Sequence, residues 1–287
     1  MTARATAALG GILLGLVALG CDRGPKRLEY GHYPSRAMHV RMEYAVYTPP
    51  DFSPEERLPL VVFLHGGGDG PGTLDRWNVG QVLDRAIAAG ELPRLVLVVP
   101  DGHNGFWTNW IDGTRNYRDW VLRELLPHVH ARYHTQACPE GCHVMGVSMG
   151  GAGALGFVLH HPELFAGAGM ISAPVFDTDQ MRAFADNRWM KIFIPTHRIW
   201  GEDPPVRRVR RSDPFFTWRG PEDVNQRLYV AWAEDDRAGV VKTSERLHSH
   251  LESRGIAHGH EAFEGGHDWC SWRTAIVRAL AYLLDAQ

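Results

Sequence analysis

The sequence lacks an excess of positive charge. Its 30 Lys and Arg stand against 33 Asp and Glu, for a net charge of −3 in 287 residues. A protein whose main partner is nucleic acid needs a basic surface to neutralise phosphates, so that class is excluded. It also lacks internal repeats and low-complexity runs, and it has no H-E-x-x-H zinc signature. His130 and His134 stand four apart with no third ligand in view, and solvated histidines are the expectation there. Neither a metal nor an organic cofactor is expected. Cysteine is scarce, with four in all. Cys138 and Cys142 bracket Pro-Glu-Gly and would pair across that turn in an oxidising compartment, or else stay as two free thiols. Cys270 would then be left over in a packing role.

What is present begins with an uncharged apolar stretch, residues 5–20, behind Arg4. A short basic start followed by such a run reads as a secretory signal. It ends Ala-Leu-Gly before Cys21, which resembles a bacterial lipoprotein cleavage site with lipid on Cys21. Residues 1–21 are therefore set apart as a signal peptide and residues 22–30 as a polar tether. The expected location is the periplasm or cell envelope of a bacterium, with membrane attachment through Cys21.

From residue 31 onward strand-like and helix-like stretches alternate. Leu60–Leu64 and Leu95–Val99 are continuous apolar runs, as strands buried on both faces would be. Further strands are expected at Met42–Thr48, His143–Val147, Ala166–Ser172, Arg227–Trp232 and His258–Phe263. Helices fit residues 74–90, 117–133, 151–161, 240–254 and 269–284. The pattern implies an α/β fold, with a mostly parallel sheet and helices on both faces, in one domain over 31–287. Residues 174–226 break the rhythm with prolines, three tryptophans and Arg-Arg-Val-Arg-Arg at 207–211. They read as an insertion over the sheet edge, beside a site. The arginine run is either a grip for an anionic substrate or, more commonly for such runs, a solvated face, with Asp213 and Glu222 near enough to neutralise part of it.

Three loops carry chemistry. Gly146–Gly150 reads G-V-S-M-G between a strand and a helix, the context that turns G-x-S-x-G into a nucleophile elbow. There Ser148 is held in a strained turn, and the Met149 N–H at the helix start faces any oxyanion formed. His65–Asp69, H-G-G-G-D, follows the strand Leu60–Leu64, and bare glycine backbone there can supply a second oxyanion donor. Gly67 is the first choice and Gly68 the second, with His65 fixing the loop. A serine hydroxyl needs a base, and the base an orienting acid, ordered Ser, Asp, His in this architecture. Asp235 or Asp236 after the strand ending at Trp232, and His267 after the strand ending at Phe263, meet that order. Trp107 and Trp110 lie on the ligand-binding edge, where they would flank an aromatic or sugar group or serve as packing.

These segments resemble the esterase D or feruloyl-esterase type of alpha/beta-hydrolase over nearly all of residues 35–285. V-Y-T-P-P at 46–50, P-L-V-V-F-L-H-G-G-G at 59–68, V-V-P-D-G at 98–102, R-E-L-L-P at 123–127, G-V-S-M-G-G at 146–151, H-P-E-L-F at 161–165 and G-H-D-W at 266–269 follow in order. The resemblance implies an alpha/beta-hydrolase fold and cofactor-free hydrolysis of carboxylic esters. It also implies Ser148 as nucleophile, His267 as base and Asp236 as acid, on a small-molecule or polysaccharide-linked ester such as an acetyl or feruloyl ester. The chain departs from the family at Ala233, where glycine is usual, so Asp235 stays in view beside Asp236. An acyltransferase, a serine peptidase of the prolyl-oligopeptidase type and a non-catalytic binding lipoprotein are the competing readings. No propeller segment precedes the catalytic loops to favour the peptidase.

Overall fold

The computed structural model describes residues 26–285. Eight strands form one sheet in the order β1-β2-β4-β3-β5-β6-β7-β8. They are β1 Glu29–Ser35, β2 Val40–Tyr47, β3 Leu60–Leu64, β4 Val96–Pro100, β5 Cys142–Val147, β6 Gly167–Ile171, β7 Arg227–Ala233 and β8 His258–Phe263. The pairs β1–β2 and β2–β4 are antiparallel, and every pair from β4 to β8 is parallel. The mostly parallel sheet expected from the apolar runs is therefore observed.

The core follows from strand alternation. Leu60, Val62 and Leu64 of β3 enter one buried cluster, while Val61 and Phe63 enter the other on the opposite face. All five residues of β3 are buried, as a strand covered on both faces requires. Strand β1 was not foreseen. Its sequence, E-Y-G-H-Y-P-S, holds a glycine and a proline and is half exposed at the sheet edge, so it carries little apolar signal. It starts at Glu29, inside the stretch expected to be tether. Arg27, also within that stretch, bonds Asp84 at 2.8 Å. The expected signal segment, Cys21 included, lies outside the described residues.

The run 117–133 is helical as expected, but Trp120–Leu125 is wound as a π-helix ahead of the α-helix Leu126–Tyr133. Pro127, which has no N–H to give, sits where the π turns pass directly into the α turns. Cys138 and Cys142 are disulfide-bonded, with Cα atoms 5.0 Å apart. Cys270, expected as a left-over thiol, is disulfide-bonded as well. His130 is not a solvated histidine: its Nε2 lies 3.2 Å from Cys138 Sγ. His134 ends its helix with φ of 50°.

Between β6 and β7 the chain makes short helices, among them Thr178–Asp186, Thr196–Ile199 and Val206–Arg210. They build a small core of Ala185, Ile199 and Trp200, with Phe106, Trp110, Phe184 and Ile194 packed against it. Arg198 fastens this unit to the loop after β4, bonding Asp112 at 2.8 Å and lying over the Trp110 ring. Asp213 does not neutralise the arginine run, because its carboxylate accepts from Thr178, Phe215 and Phe216. Arg208 instead reaches the carbonyl of Asn109.

Candidate active site

The strand order reverses at β3. From there the chain runs outward to β4 on one side and to β5 on the other, and an open α/β sheet has its crevice at such a switch point, beyond the carboxyl ends of the strands. The pairing of Leu64 with Gly146 brings the glycine loop after β3 next to the turn after β5. Two glycines of that turn are demanded by this crossing. A Cβ on Gly150 would stand 1.8 Å from the Leu64 carbonyl oxygen, and one on Gly146 would stand 2.4 Å from the same atom. The G-x-S-x-G spacing therefore lets the elbow pass over β3, besides clearing space beside the serine.

Ser148 sits between strand and helix with φ of 54° and ψ of −121°. Few non-glycine residues adopt such a backbone, and the surrounding structure must hold it there. The Ser148 N–H donates to the Ile171 carbonyl at 2.8 Å, and its own carbonyl accepts from Ala152 at 3.1 Å. The helix Met149–His160 starts at the next residue, so the Met149 N–H is one of the free donors of a first turn.

His267 lies in the loop after β8, with Nε2 2.9 Å from Ser148 Oγ and Nδ1 2.7 Å from Asp236 Oδ1. A carboxylate only accepts, so Nδ1 carries the proton and Nε2 accepts from the serine hydroxyl. The Asp236 side chain is fully buried. Burial pushes its carboxyl up. The hydrogen bond from His267, the nearby Ser172 hydroxyl, the His267 charge and the Arg237 N–H outweigh that, and its pKa lies below the usual carboxylate value. Ser172 favours the charged form by proximity, since no hydrogen bond of normal length reaches Asp236 Oδ2. Asp235, the alternative acid, is exposed, and its N–H bonds the Gly265 carbonyl at 2.9 Å.

Gly67 and Met149 both line the cavity above Ser148. Gly68, the second choice for an oxyanion donor, gives its N–H to Asn104 Oδ1 at 2.8 Å. His65 is buried and ties the loop down: Nδ1 donates to the Gly66 carbonyl at 2.8 Å, and Nε2 accepts from the Gly102 N–H at 3.0 Å. Trp269 Nε1 donates to Asp69 Oδ2 at 3.0 Å, joining the glycine loop to the segment that carries His267.

The cavity measures about 700 Å³. Six aromatic side chains line it, Trp77, Phe106, Phe176, Phe184, Trp269 and Trp272, together with the charged Asp69, Arg237 and Asp268. Trp107 and Trp110 are not among the lining residues. Trp107 is 2% exposed and packs against His65, with Gly153 beneath its ring. Phe106, its neighbour, takes the wall position with φ of 54°. Trp107 thus takes the packing role, one of the two expected for it, and the loop reaches the cavity through Phe106 instead. Sequence reasoning passed over Ser172, Trp272 and Asn104. Ser172 stands one residue past the end of β6, the kind of position where site residues collect, and nothing else in the sequence marks it.

A reversed strand order, a serine elbow and a Ser–His–Asp chain at the carboxyl edge together define an alpha/beta-hydrolase. Among known proteins, the chain belongs to the family described as "Putative esterase", whose model matches residues 35–283. It is 30% identical over 278 residues to the Mycobacterium tuberculosis protein named Esterase Rv1288, covering 88% of this chain and 58% of that protein. The chain thus spans a little under three-fifths of that curated relative. It is 23% identical over 236 residues to the acetyl esterase of Caldicellulosiruptor saccharolyticus, covering 79% of this chain and 84% of the relative. Among solved structures, a ferulic acid esterase superposes with a TM-score of 0.74 at 20% identity, over 90% of this chain and 97% of that one. FphF, a fluorophosphonate-binding serine hydrolase of Staphylococcus aureus, gives 0.74 at 23% identity, over 91% and 99%. These structural likenesses bear on the fold.

Proposed function

We propose that the chain is a serine carboxylic ester hydrolase acting through an acyl-enzyme, with Ser148 as nucleophile, His267 as base and Asp236 as orienting acid. The observation that carries the reading is the unbroken chain from Ser148 Oγ through His267 to Asp236, with steps of 2.9 and 2.7 Å, at the wall of an aromatic cavity. Membership of an esterase family supports the reaction class.

His267 Nε2 takes the Ser148 proton as Oγ attacks the ester carbonyl. The carbonyl oxygen becomes an oxyanion held by the Met149 and Gly67 N–H groups, and one lost donor of this kind costs about 3 kcal/mol of barrier. The imidazolium gives its proton to the leaving alcohol as the C–O bond breaks. Water then attacks the acyl-enzyme while His267 takes one of its protons, and that proton returns to Ser148 as the acid departs. Asp236, held ionised by its neighbours, fixes the Nδ1–H tautomer and balances the transient charge on His267.

The aromatic side chains of the cavity favour an apolar or planar acyl group such as a feruloyl or other arylacyl ester. Export is part of the same proposal, supported by the N-terminal pattern and by the Cys138–Cys142 disulfide, which an oxidising compartment sustains. The test is hydrolysis of p-nitrophenyl acetate, butyrate and octanoate and of methyl ferulate, beside Ser148→Ala. The reading expects turnover that falls by about a millionfold in the variant, as for other serine triads. A folded wild type with no turnover and no labelling by a fluorophosphonate overturns it.

A further inference from the structure

At the outer edge of the sheet, away from the serine, three imidazoles converge. His258 and His260 alternate onto one face of β8. The helix Ala238–Ser253 brings His248 onto that face. One ring nitrogen from each of the three lies within 4.8 Å of the others. The closest pair is His248 Nδ1 and His258 Nε2, 2.9 Å apart. The His248 ring also stacks on His260, with centroids 3.9 Å apart and planes 25° from parallel.

The protons in this cluster can be assigned. His258 Nδ1 is 2.8 Å from the Ile256 carbonyl, which only accepts, so Nδ1 carries hydrogen and Nε2 presents a lone pair. That arrangement, one ring nitrogen anchored on a backbone carbonyl and the other free to bind, is how metal-ligating histidines are oriented. His248 Nδ1 must then donate to His258 Nε2.

We propose that His248, His258 and His260 bind one divalent first-row transition-metal ion, and so clamp the helix Ala238–Ser253 to the edge strand β8. Three imidazoles suit Zn²⁺, Ni²⁺ or Cu²⁺ and are a poor set for Ca²⁺ or Mg²⁺, which prefer oxygen. The observed 2.9 Å between His248 Nδ1 and His258 Nε2 is the span of two bonds of about 2.0–2.1 Å meeting near a right angle. The ion takes the place of the one hydrogen between those nitrogens, and His248 moves its proton to Nε2, so the ring stays neutral. His260 is exposed and turns out of its stack to complete the set. The two strand histidines sit near the start of β8, whereas the loop bearing His267 leaves its far end. The ion is therefore structural, and the ester chemistry does not pass through it.

The experiment is calorimetric titration of Zn²⁺, and separately Cu²⁺, into the full, EDTA-stripped chain purified without a polyhistidine tag, alongside His258→Gln and His260→Ala. His260 is exposed, so its variant keeps the fold, and circular dichroism checks both. The proposal expects one equivalent at a Kd of about 1 μM or tighter, with Cu²⁺ binding more tightly than Zn²⁺ by the usual order of divalent metals. It expects binding lost in His258→Gln, binding weakened at least about tenfold in His260→Ala, and a melting temperature raised by Zn²⁺ in the wild type alone. Absence of saturable binding overturns it. So does binding that survives in either variant unchanged, which would place the ion elsewhere or reduce the site to two ligands.

Discussion

The indole N–H of Trp272 donates to the hydroxyl of Ser172 at 3.0 Å. The same indole stands edge-on to His267, with ring centroids 4.8 Å apart. One side chain thus braces both His267, the proposed base, and the hydroxyl beside Asp236, its proposed acid. Trp272→Phe keeps the ring and removes the N–H. Oγ of the fully buried Ser172 then loses its partner, a change that costs about 1–3 kcal/mol of stability. The expected kinetic result is a kcat lowered by roughly tenfold with KM little changed, because His267 is less well aimed while the cavity keeps its wall. Steady-state kinetics on a p-nitrophenyl ester read the split. A rise in KM at constant kcat would reduce Trp272 to a wall residue.

The two neighbouring aspartates have separable fates. Asp236 is buried on His267, and Asp235 is exposed with no side-chain bond to the triad. Asp236→Asn replaces the acceptor of the Nδ1 proton and favours the wrong tautomer, so turnover should fall by roughly 10³–10⁴-fold, as measured for the corresponding change in serine proteases. Asp235→Asn should leave turnover unchanged. Equal losses in both variants would show that the carboxylates act as one charged patch, and the assigned roles would fail.

The inner strands were readable because buried parallel strands read as unbroken apolar runs, and Leu60–Leu64 has the expected ends. The serine elbow was readable because a close backbone crossing forces glycine at Gly146 and Gly150. What escaped was set by tertiary contact. Strand β1 exists because β2 offers it a partner along seven residues, not because its own residues favour a strand. The choice between Phe106 and Trp107 turns on which ring falls over Gly153, a distance no local pattern encodes. Ser172 and Trp272 are a hundred residues apart and gain meaning only as a pair.

Asn104 offers a test of the oxyanion loop that leaves the triad untouched. Its Oδ1 holds the Gly68 N–H at 2.8 Å, beside the Gly67 amide assigned to the oxyanion. Asn104→Ala frees the loop to reorient, and the Gly67 amide loses its fixed aim. The expected loss in kcat is about tenfold, smaller than the roughly 10²–10³-fold that follows outright removal of a donor. The rate of labelling by a fluorophosphonate should fall in parallel, since its phosphoryl oxygen occupies the same hole. Unchanged labelling with lowered ester turnover would move the role of Asn104 from the oxyanion to the alcohol side of the cavity.

The last prediction concerns acid. His143 is buried in β5, where desolvation, and then the charge of Arg227, push its pKa down from 6.5 to about 4. Its Nδ1 has no hydrogen-bond partner, so nothing in the fold welcomes a proton there. Between pH 6.5 and pH 4 the unfolded chain therefore binds a proton that the folded chain refuses. Where the unfolded state binds more protons, stability rises with pH, so it must fall as the medium is acidified across this window. The depression is worth about 3 kcal/mol by the bottom of the window. His160, pushed down to about 3 chiefly by burial, adds a loss of the same sign. Carboxylates with lowered values, Asp236 and Asp177 among them, contribute stability that is lost only at lower pH, below the ordinary carboxylate value of 3.8. Melting temperatures measured between pH 7 and pH 4.5 should consequently fall steeply in the wild type and less steeply in His143→Asn, whatever that variant costs at pH 7. Parallel slopes in the two proteins would mean that His143 accepts its proton in the folded state, through an opening to water at the start of β5.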